Sequence, residues 1–309
     1  MNVLTSLSPG SQDVQAIDRL WTVSIAIFGL IFLFVTGIIT YSLMKYRWQE
    51  GAADPEQVAG NHTVELVWTV VPLCIVTLLF ALTIKTMGVT DPEPAPDPDL
   101  IVIGHQWWWE ARYPKSGVIT ANEIHIPTGK ALSVRLDAAD VLHEFWVAEL
   151  APKRTTVPGH PNNIWLEADT PGTYPGSCSE FCGTEHAWMR FTVVAQSPAE
   201  FAAWEQAQLQ ASAPPAAPDA QAGEQIFMQM SCVNCHAVNG TPAQARVGPD
   251  LTHLAGRKQF GAGIMDTTPD NLKLWLHNPQ AVKPGAEMPN FEFTDQQVND
   301  LTAYLETLR

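Results

Sequence analysis

Two uncharged apolar blocks constrain this chain more than any other feature. Residues 20–44 run for 25 residues and residues 66–84 for 19 without one Asp, Glu, Lys or Arg. Each can cross a hydrocarbon core of about 30 Å, which takes about 20 helical residues. Neither shows the polar stripe of a soluble amphipathic helix. A cleaved leader fits the first block poorly, because it is too long and Asp13 and Asp18 precede it in place of a basic n-region. The blocks predict a two-helix transmembrane hairpin within residues 1–90, with a kink at Pro72. The lone thiol Cys74 reads as packing.

Charge sets the expected orientation. Lys45 and Arg47 flank the connecting loop, while Asp13, Asp18, Asp91 and Glu93 flank the opposite ends. The positive-inside rule places the loop in the cytoplasm of a bacterial inner membrane. Both termini, and all that follows Lys85, then face the periplasm or exterior. Over the 309 residues, 16% charged and 46% hydrophobic exclude a disordered chain or coiled coil. A formal charge of −15 repels phosphate backbones, which excludes a nucleic-acid partner.

After a Pro-rich spacer that opens at Asp91, short β-like runs at 100–104, 123–126, 131–136, 141–147, 164–167 and 189–194 predict an all-β sandwich over 97–196. Residues 197–220 read as helical to about 210 and then Ala/Pro-rich, a tether. A flexible tether of about 25 residues reaches about 25–30 Å and gives an effective concentration near millimolar. Residues 221–309 read as all-α, with helices at 222–230, 270–277 and 294–308. The last carries an apolar stripe at Val298, Leu301, Leu305 and Leu308.

Two stretches carry chemistry. Cys232-Val-Asn-Cys235-His236 is the covalent attachment sequence for c-type haem. Its two thiols can each take one vinyl group, and the adjacent His236 then lies under the iron. A zinc half-site would need a second ligand pair nearby, and a thioredoxin dithiol would need a βαβ context; neither is present. Candidates for the sixth ligand are Met265, Met288, His253 and His277. Met288 is preferred, because it sits before Pro289 in an irregular stretch that can present a thioether. His/Met ligation suits electron transfer. The second stretch is Cys178-Ser-Glu-Phe-Cys182-Gly-Thr-Glu-His186-Ala-Trp-Met189, with His143 upstream. Two thiols, two imidazoles and a thioether form a soft set suited to copper. A single blue-copper site needs only one Cys, so the surplus thiol points to two coppers. A Cys178–Cys182 disulfide would leave His143, His186 and Met189 without a role.

On these motifs the last portion, with Gly248-Pro-Asp-Leu, Gly256-Arg257 and Met288-Pro, resembles class I cytochrome c. Residues 15–196 resemble cytochrome c oxidase subunit II, and the whole chain resembles the variant with a cytochrome c fused behind it. The resemblance implies a multidomain membrane protein with a cupredoxin-like sandwich and a binuclear CuA centre. Cys178 and Cys182 would bridge both coppers. His143 and Met189 would complete one metal, and His186 with the Glu180 carbonyl the other. The Glu180 side chain would reach a magnesium ion shared with subunit I. In Gly104-His-Gln-Trp-Trp-Trp109, Trp107 matches the residue where electrons enter, and Glu65 matches the glutamate at the mouth of a proton channel. The sequence departs from the family at Trp108, often Tyr, and at Arg154-Thr155-Thr156-Val157, where an acidic residue is usual.

The implied function is subunit II of a proton-pumping terminal oxidase. It would pass electrons from its covalent haem c to CuA and on to subunit I, which reduces oxygen to water. Implied partners are subunits I and III and a donor, either cytochrome c or a cytochrome-reducing complex. Two alternatives stand beside it: the CuA subunit of a nitric oxide reductase, and a membrane-anchored copper chaperone or redox sensor. The chaperone would need a thioredoxin-like α/β pattern, which the sequence lacks.

Overall fold

The computed structural model describes residues 9–51, 53, 56–91 and 94–309; Glu93, one of the flanking acids, lies outside the described residues. The chain divides into two compact units, residues 15–90 and a second made of residues up to Val14 with 91–309.

Residues 15–90 are carried by α1 (Gln12–Lys45) and α2 (His62–Thr90). Both outrun the uncharged blocks, because polar residues close their ends: Asn61 Oδ1 accepts from the Thr63 and Val64 amides at 3.0 and 3.2 Å. The helix α2 continues through Pro72. Its threonine hydroxyls bond back to carbonyls one turn earlier, Thr69 to Glu65, Thr77 to Leu73 and Thr83 to Leu79, each at 2.8 Å. Their polarity is thus satisfied within the helix, as a spanning segment requires. Phe28, Leu30, Phe32 and Phe34 on α1 and Leu66, Trp68 and Phe80 on α2 are all exposed. A helix apolar on every side calls for lipid around it.

The second unit opens with ten strands: β1 (Leu100–His105), β2 (Trp108–Arg112), β3 (Ile119–Ala121), β4 (Glu123–Pro127), β5 (Leu132–Ala138), β6 (His143–Val147), β7 (Ala151–Thr156), β8 (Asn162–Leu166), β9 (Gly172–Cys178) and β10 (Arg190–Gln196). They form two five-stranded sheets, in orders β3-β2-β1-β5-β8 and β4-β10-β9-β6-β7. Side chains alternate between buried and half-buried along β1 and β6, so one face of each strand enters the core. Trp109 fills that core, 5.6 Å from the Phe145 ring and 5.5 Å from Phe191. Four strands, β2, β3, β7 and β9, were not among the sequence-predicted runs.

Helix α3 (Pro198–Gln208) starts at a capping box between Ser197 and Glu200. It lies against the sandwich, with Trp204 stacked on His125 at 4.2 Å. After it come α4 (Pro218–Gln229), the two-residue strands β11 (Gln259–Phe260) and β12 (Met265–Asp266), α5 (Pro269–His277), α6 (Pro279–Val282) and α7 (Asp295–Leu305). Their core includes Phe227, Leu272, Leu276, Leu301, Tyr304 and Leu308.

Residues 197–220 differ from the flexible tether expected from their composition. The segment is not a free leash, because α3 is packed down and the helical portion is docked on the sandwich. Arg190 donates its amide to the Ala262 carbonyl at 3.1 Å, and the Lys258 amide donates to Glu123 at 3.0 Å. Trp108, Ala121 and Ala262 form a small buried cluster at the same boundary. Buried hydrogen bonds and apolar contact offset the freedom a leash would keep.

Helices α4 and α7 cross at Gly223, where a side-chain carbon would collide with the Asp300 carbonyl. Gly223→Ala should destabilise the helical portion by about 1–3 kcal/mol, the usual cost of overpacking. Denaturant unfolding followed by circular dichroism checks this; an unchanged midpoint would show that the crossing tolerates a methyl group.

Candidate functional site

The copper-type site rests on strand register. Strands β6 and β9 are antiparallel neighbours with Phe145 opposite Cys178, which sets His143 beside the end of β9. The loop from Cys178 returns to β10 and closes where the Cys178 amide donates to the Met189 carbonyl at 3.0 Å. Five donors converge as a result. Cys178 Sγ lies 3.8 Å from Cys182 Sγ and 4.0 Å from His143 Nδ1. Cys182 Sγ lies 3.7 Å from His186 Nδ1 and 3.8 Å from Met189 Sδ. The Glu180 carbonyl oxygen is 3.2 Å from Cys178 Sγ, while the Glu180 side chain is exposed. The sulfurs are free thiols at a separation far beyond a disulfide bond.

Electrostatics favour a ligand role. His143 and Met189 are wholly buried. Asp140 holds His143 Nε2 at 2.8 Å, which turns Nδ1 toward the thiols. Burial would lower the His143 pKa, but the bonds to Cys178 and Asp140 outweigh it and raise it. The Cys182 thiol, with help from His143 and two backbone groups, lowers the Cys178 pKa against burial. Cys182 is pushed up by its bond to Cys178 and by burial. The two shifts run in opposite directions because each thiol is the other's hydrogen-bond partner. A buried set of three sulfurs, two imidazoles and a carbonyl fits copper, and its two thiols fit a pair of ions.

The second site is a cavity of about 330 Å³ whose lining includes Cys232, Cys235, His236, Met288, Trp275 and Arg257. His236 Nδ1 is bonded to the Pro249 carbonyl at 2.7 Å, which fixes the ring and leaves Nε2 for a metal. Burial lowers the His236 pKa and so keeps the ring neutral, as a ligand must be. Gly248 lies flat on this imidazole; a side-chain carbon there would come within 2.6 Å of Cε1. Met288 Sδ accepts from Trp275 Nε1 at 3.1 Å. Burial pushes the Cys232 thiol up to about 11. Arg257 is buried, and its Nε has no hydrogen-bond partner among the described residues. Its Nη2 donates to the Asp250 carbonyl at 2.7 Å, so the unpartnered Nε is a donor left for a further acceptor such as a haem carboxylate, and these residues fit the group. Of the other candidates, Met265 is on β12, His253 is bonded to the Gln208 carbonyl at 3.0 Å, and His277 is exposed at the end of α5.

The three consecutive tryptophans divide their roles. Trp109 is core, and Trp108 stacks on His105 at 4.2 Å. Trp107 lines the cavity and donates its Nε1 hydrogen to the Cys182 carbonyl at 3.1 Å. Gln106 donates to the same carbonyl at 2.7 Å. In its own unit, Glu65 sits in the first turn of α2, 3.6 Å from His62 Nδ1. Arg154, in the stretch where the family is usually acidic, pairs with Asp91 at 2.9 Å.

Sequence reasoning missed several neighbours. Asp140 was signalled only by its position three before His143, and Gln106 only by its place in the aromatic run. A buried ion pair between Lys283 and Glu185, 2.7 Å apart, gave no local signal at all.

The chain is similar to known proteins over most of its length. Three family models match in succession: the transmembrane domain of cytochrome c oxidase subunit II over residues 1–85, its periplasmic domain over 116–196, and cytochrome c over 220–309. Subunit 2 of cytochrome c oxidase from Alkalihalophilus pseudofirmus is 36% identical, covering 99% of this chain and 91% of that one. Its counterpart from Bacillus sp. (strain PS3) is 35% identical over 82% of this chain and 77% of its own. The crystal structure of the periplasmic domain of the Bradyrhizobium japonicum subunit is 28% identical, with TM-score 0.34, over 37% of this chain and 95% of its own. With two apolar helices, a β-sandwich and a helical cytochrome c portion in one polypeptide, the chain belongs to the cytochrome c oxidase subunit 2 family.

Proposed function

We propose that the chain receives electrons at a haem c attached through Cys232 and Cys235 and delivers them to a binuclear copper centre in its sandwich. As subunit II it is part of an oxidoreductase complex in a membrane. Bound, the two groups would supply one-electron carriers, with the haem potential raised by His236 and Met288. Cys178, Cys182, His143, His186, Met189 and the Glu180 carbonyl would hold the coppers. The Glu180 side chain, exposed beside them, is free to reach a magnesium ion shared with subunit I. Subunit I would then reduce oxygen to water and pump protons, with Glu65 at the cytoplasmic mouth of a proton path. Subunit III and a cytochrome c or cytochrome-reducing donor complete the set of partners. Both termini face the periplasmic or outer side of the bacterial cell membrane.

One observation carries this reading. Trp107 stands in the wall of the haem cavity, and its indole N–H is bonded to the carbonyl of a thiol ligand. The chain's own residues thus do three things: they line a pocket for each group, fix His143 and His236 by a second hydrogen bond each, and join the pockets through one aromatic ring. The nitric oxide and chaperone readings have no such observation of their own.

Cys232→Ala with Cys235→Ala should abolish haem stain on the denatured chain; stain that persists would end the covalent reading. Met288→Ala should remove the weak near-infrared sulfur-to-iron band and lower the haem potential, and Met265→Ala should do neither. Metal analysis should give about two coppers per chain, the number its two thiols call for. A ratio near one would favour a chaperone. Trp107→Ala should slow haem-to-copper transfer in flash reduction while copper content stays intact; an unchanged rate would make the ring a mere core cap.

A further inference from the structure

The docked boundary has one feature that apolar packing does not explain. Lys283, which caps the C-terminal end of α6, and Glu185, in the turn before His186, form an ion pair at 2.7 Å. Lys283 is only 4% exposed and Glu185 only 2%. The same ammonium reaches the Trp107 carbonyl at 3.4 Å. One charged group of the cytochrome portion therefore touches both the copper loop and the aromatic run. A buried ion pair is a weak source of stability, because desolvation offsets most of its attraction; its best-attested use is to fix register between parts. The cluster of Trp108, Ala121 and Ala262 is non-directional, and the Arg190–Ala262 and Lys258–Glu123 bonds lie on the β10 and β4 side of the boundary, so neither positions the copper loop.

We propose that the Lys283–Glu185 pair is the latch that seats the cytochrome portion on the copper loop, a positioning pair that holds the cavity mouth against Trp107. This rests on the electron route above but is measured apart from it. The directional logic is simple. Without Lys283, the Glu185 carboxylate is stranded in the boundary, where its Oε1 already has no hydrogen-bond partner among the described residues. The docked state then loses to an undocked one in which water reaches the carboxylate.

The test uses the full-length, metal- and haem-loaded protein in nanodiscs. Native-state hydrogen exchange is read at the Arg190 and Lys258 amides, both donated across the boundary. Lys283→Met should speed their exchange by about tenfold or more, as opening of a local unit requires. Glu185→Leu should do the same, and the double variant should be no worse than the poorer single, since removing both charges strands neither. Copper content and haem stain, measured alongside, establish that both pockets are still folded. If either single variant fails to assemble, the other carries the same readout. Unchanged exchange in a folded single variant, or strictly additive effects in the double, would overturn the latch. Because exchange reports docking and not electron flow, faster exchange with an unchanged transfer rate would uphold the latch and count against the Trp107 route.

Discussion

The copper-type site depends on one strand register, Phe145 opposite Cys178 in neighbouring antiparallel strands. That pairing places a histidine from one strand next to a cysteine that ends the other. The loop from Cys178 then needs only to return to Met189 for all five side-chain donors to meet. A slip of one residue would turn His143 to the other face of the sheet and break the set. The core enforces the register: Phe145, on the pairing position itself, packs against Trp109 and Phe191. Burial of three aromatic rings thus fixes the position of a polar site, and Asp140 finishes the task by holding the far side of the imidazole.

Both candidate sites could be read from the sequence because most of their donors are close together, although His143 and Met288 lie apart from the rest. Cys178 to Met189 and Cys232 to His236 are single local stretches, and residue type alone separates soft-metal from haem chemistry. The fold was partly legible. Regular alternation exposed β1, β5 and β6, but β9 contains Gly172, Pro175 and Gly176, and β7 contains Pro152, Lys153 and Arg154. Those residues weaken the strand signal that tertiary pairing then overrides. The start of β2 hid inside the tryptophan run, which drew a functional reading.

What was least legible was the arrangement of the two portions. Composition marks 197–220 as a spacer, and by composition a spacer is loose. The stacking of Trp204 on His125 and the burial of Lys283 against Glu185 involve partners far apart in the chain, so no local pattern announces them. The consequence is physical. A leash raises the frequency of encounters, whereas a docked interface fixes one geometry and removes the encounter step altogether. The cytochrome portion is then packed against the loop that carries the candidate copper donors.

On the proposed function, electron passage between the pockets takes place within one molecule. The direct measurement is the rate of haem-to-copper electron transfer after flash reduction, taken across a wide dilution series and from low to high salt. A docked, intramolecular route gives one fast phase whose rate is the same at every concentration and nearly independent of ionic strength. A rate that falls in proportion to dilution would contradict the account, because the haem of each chain would then be serving the copper of another.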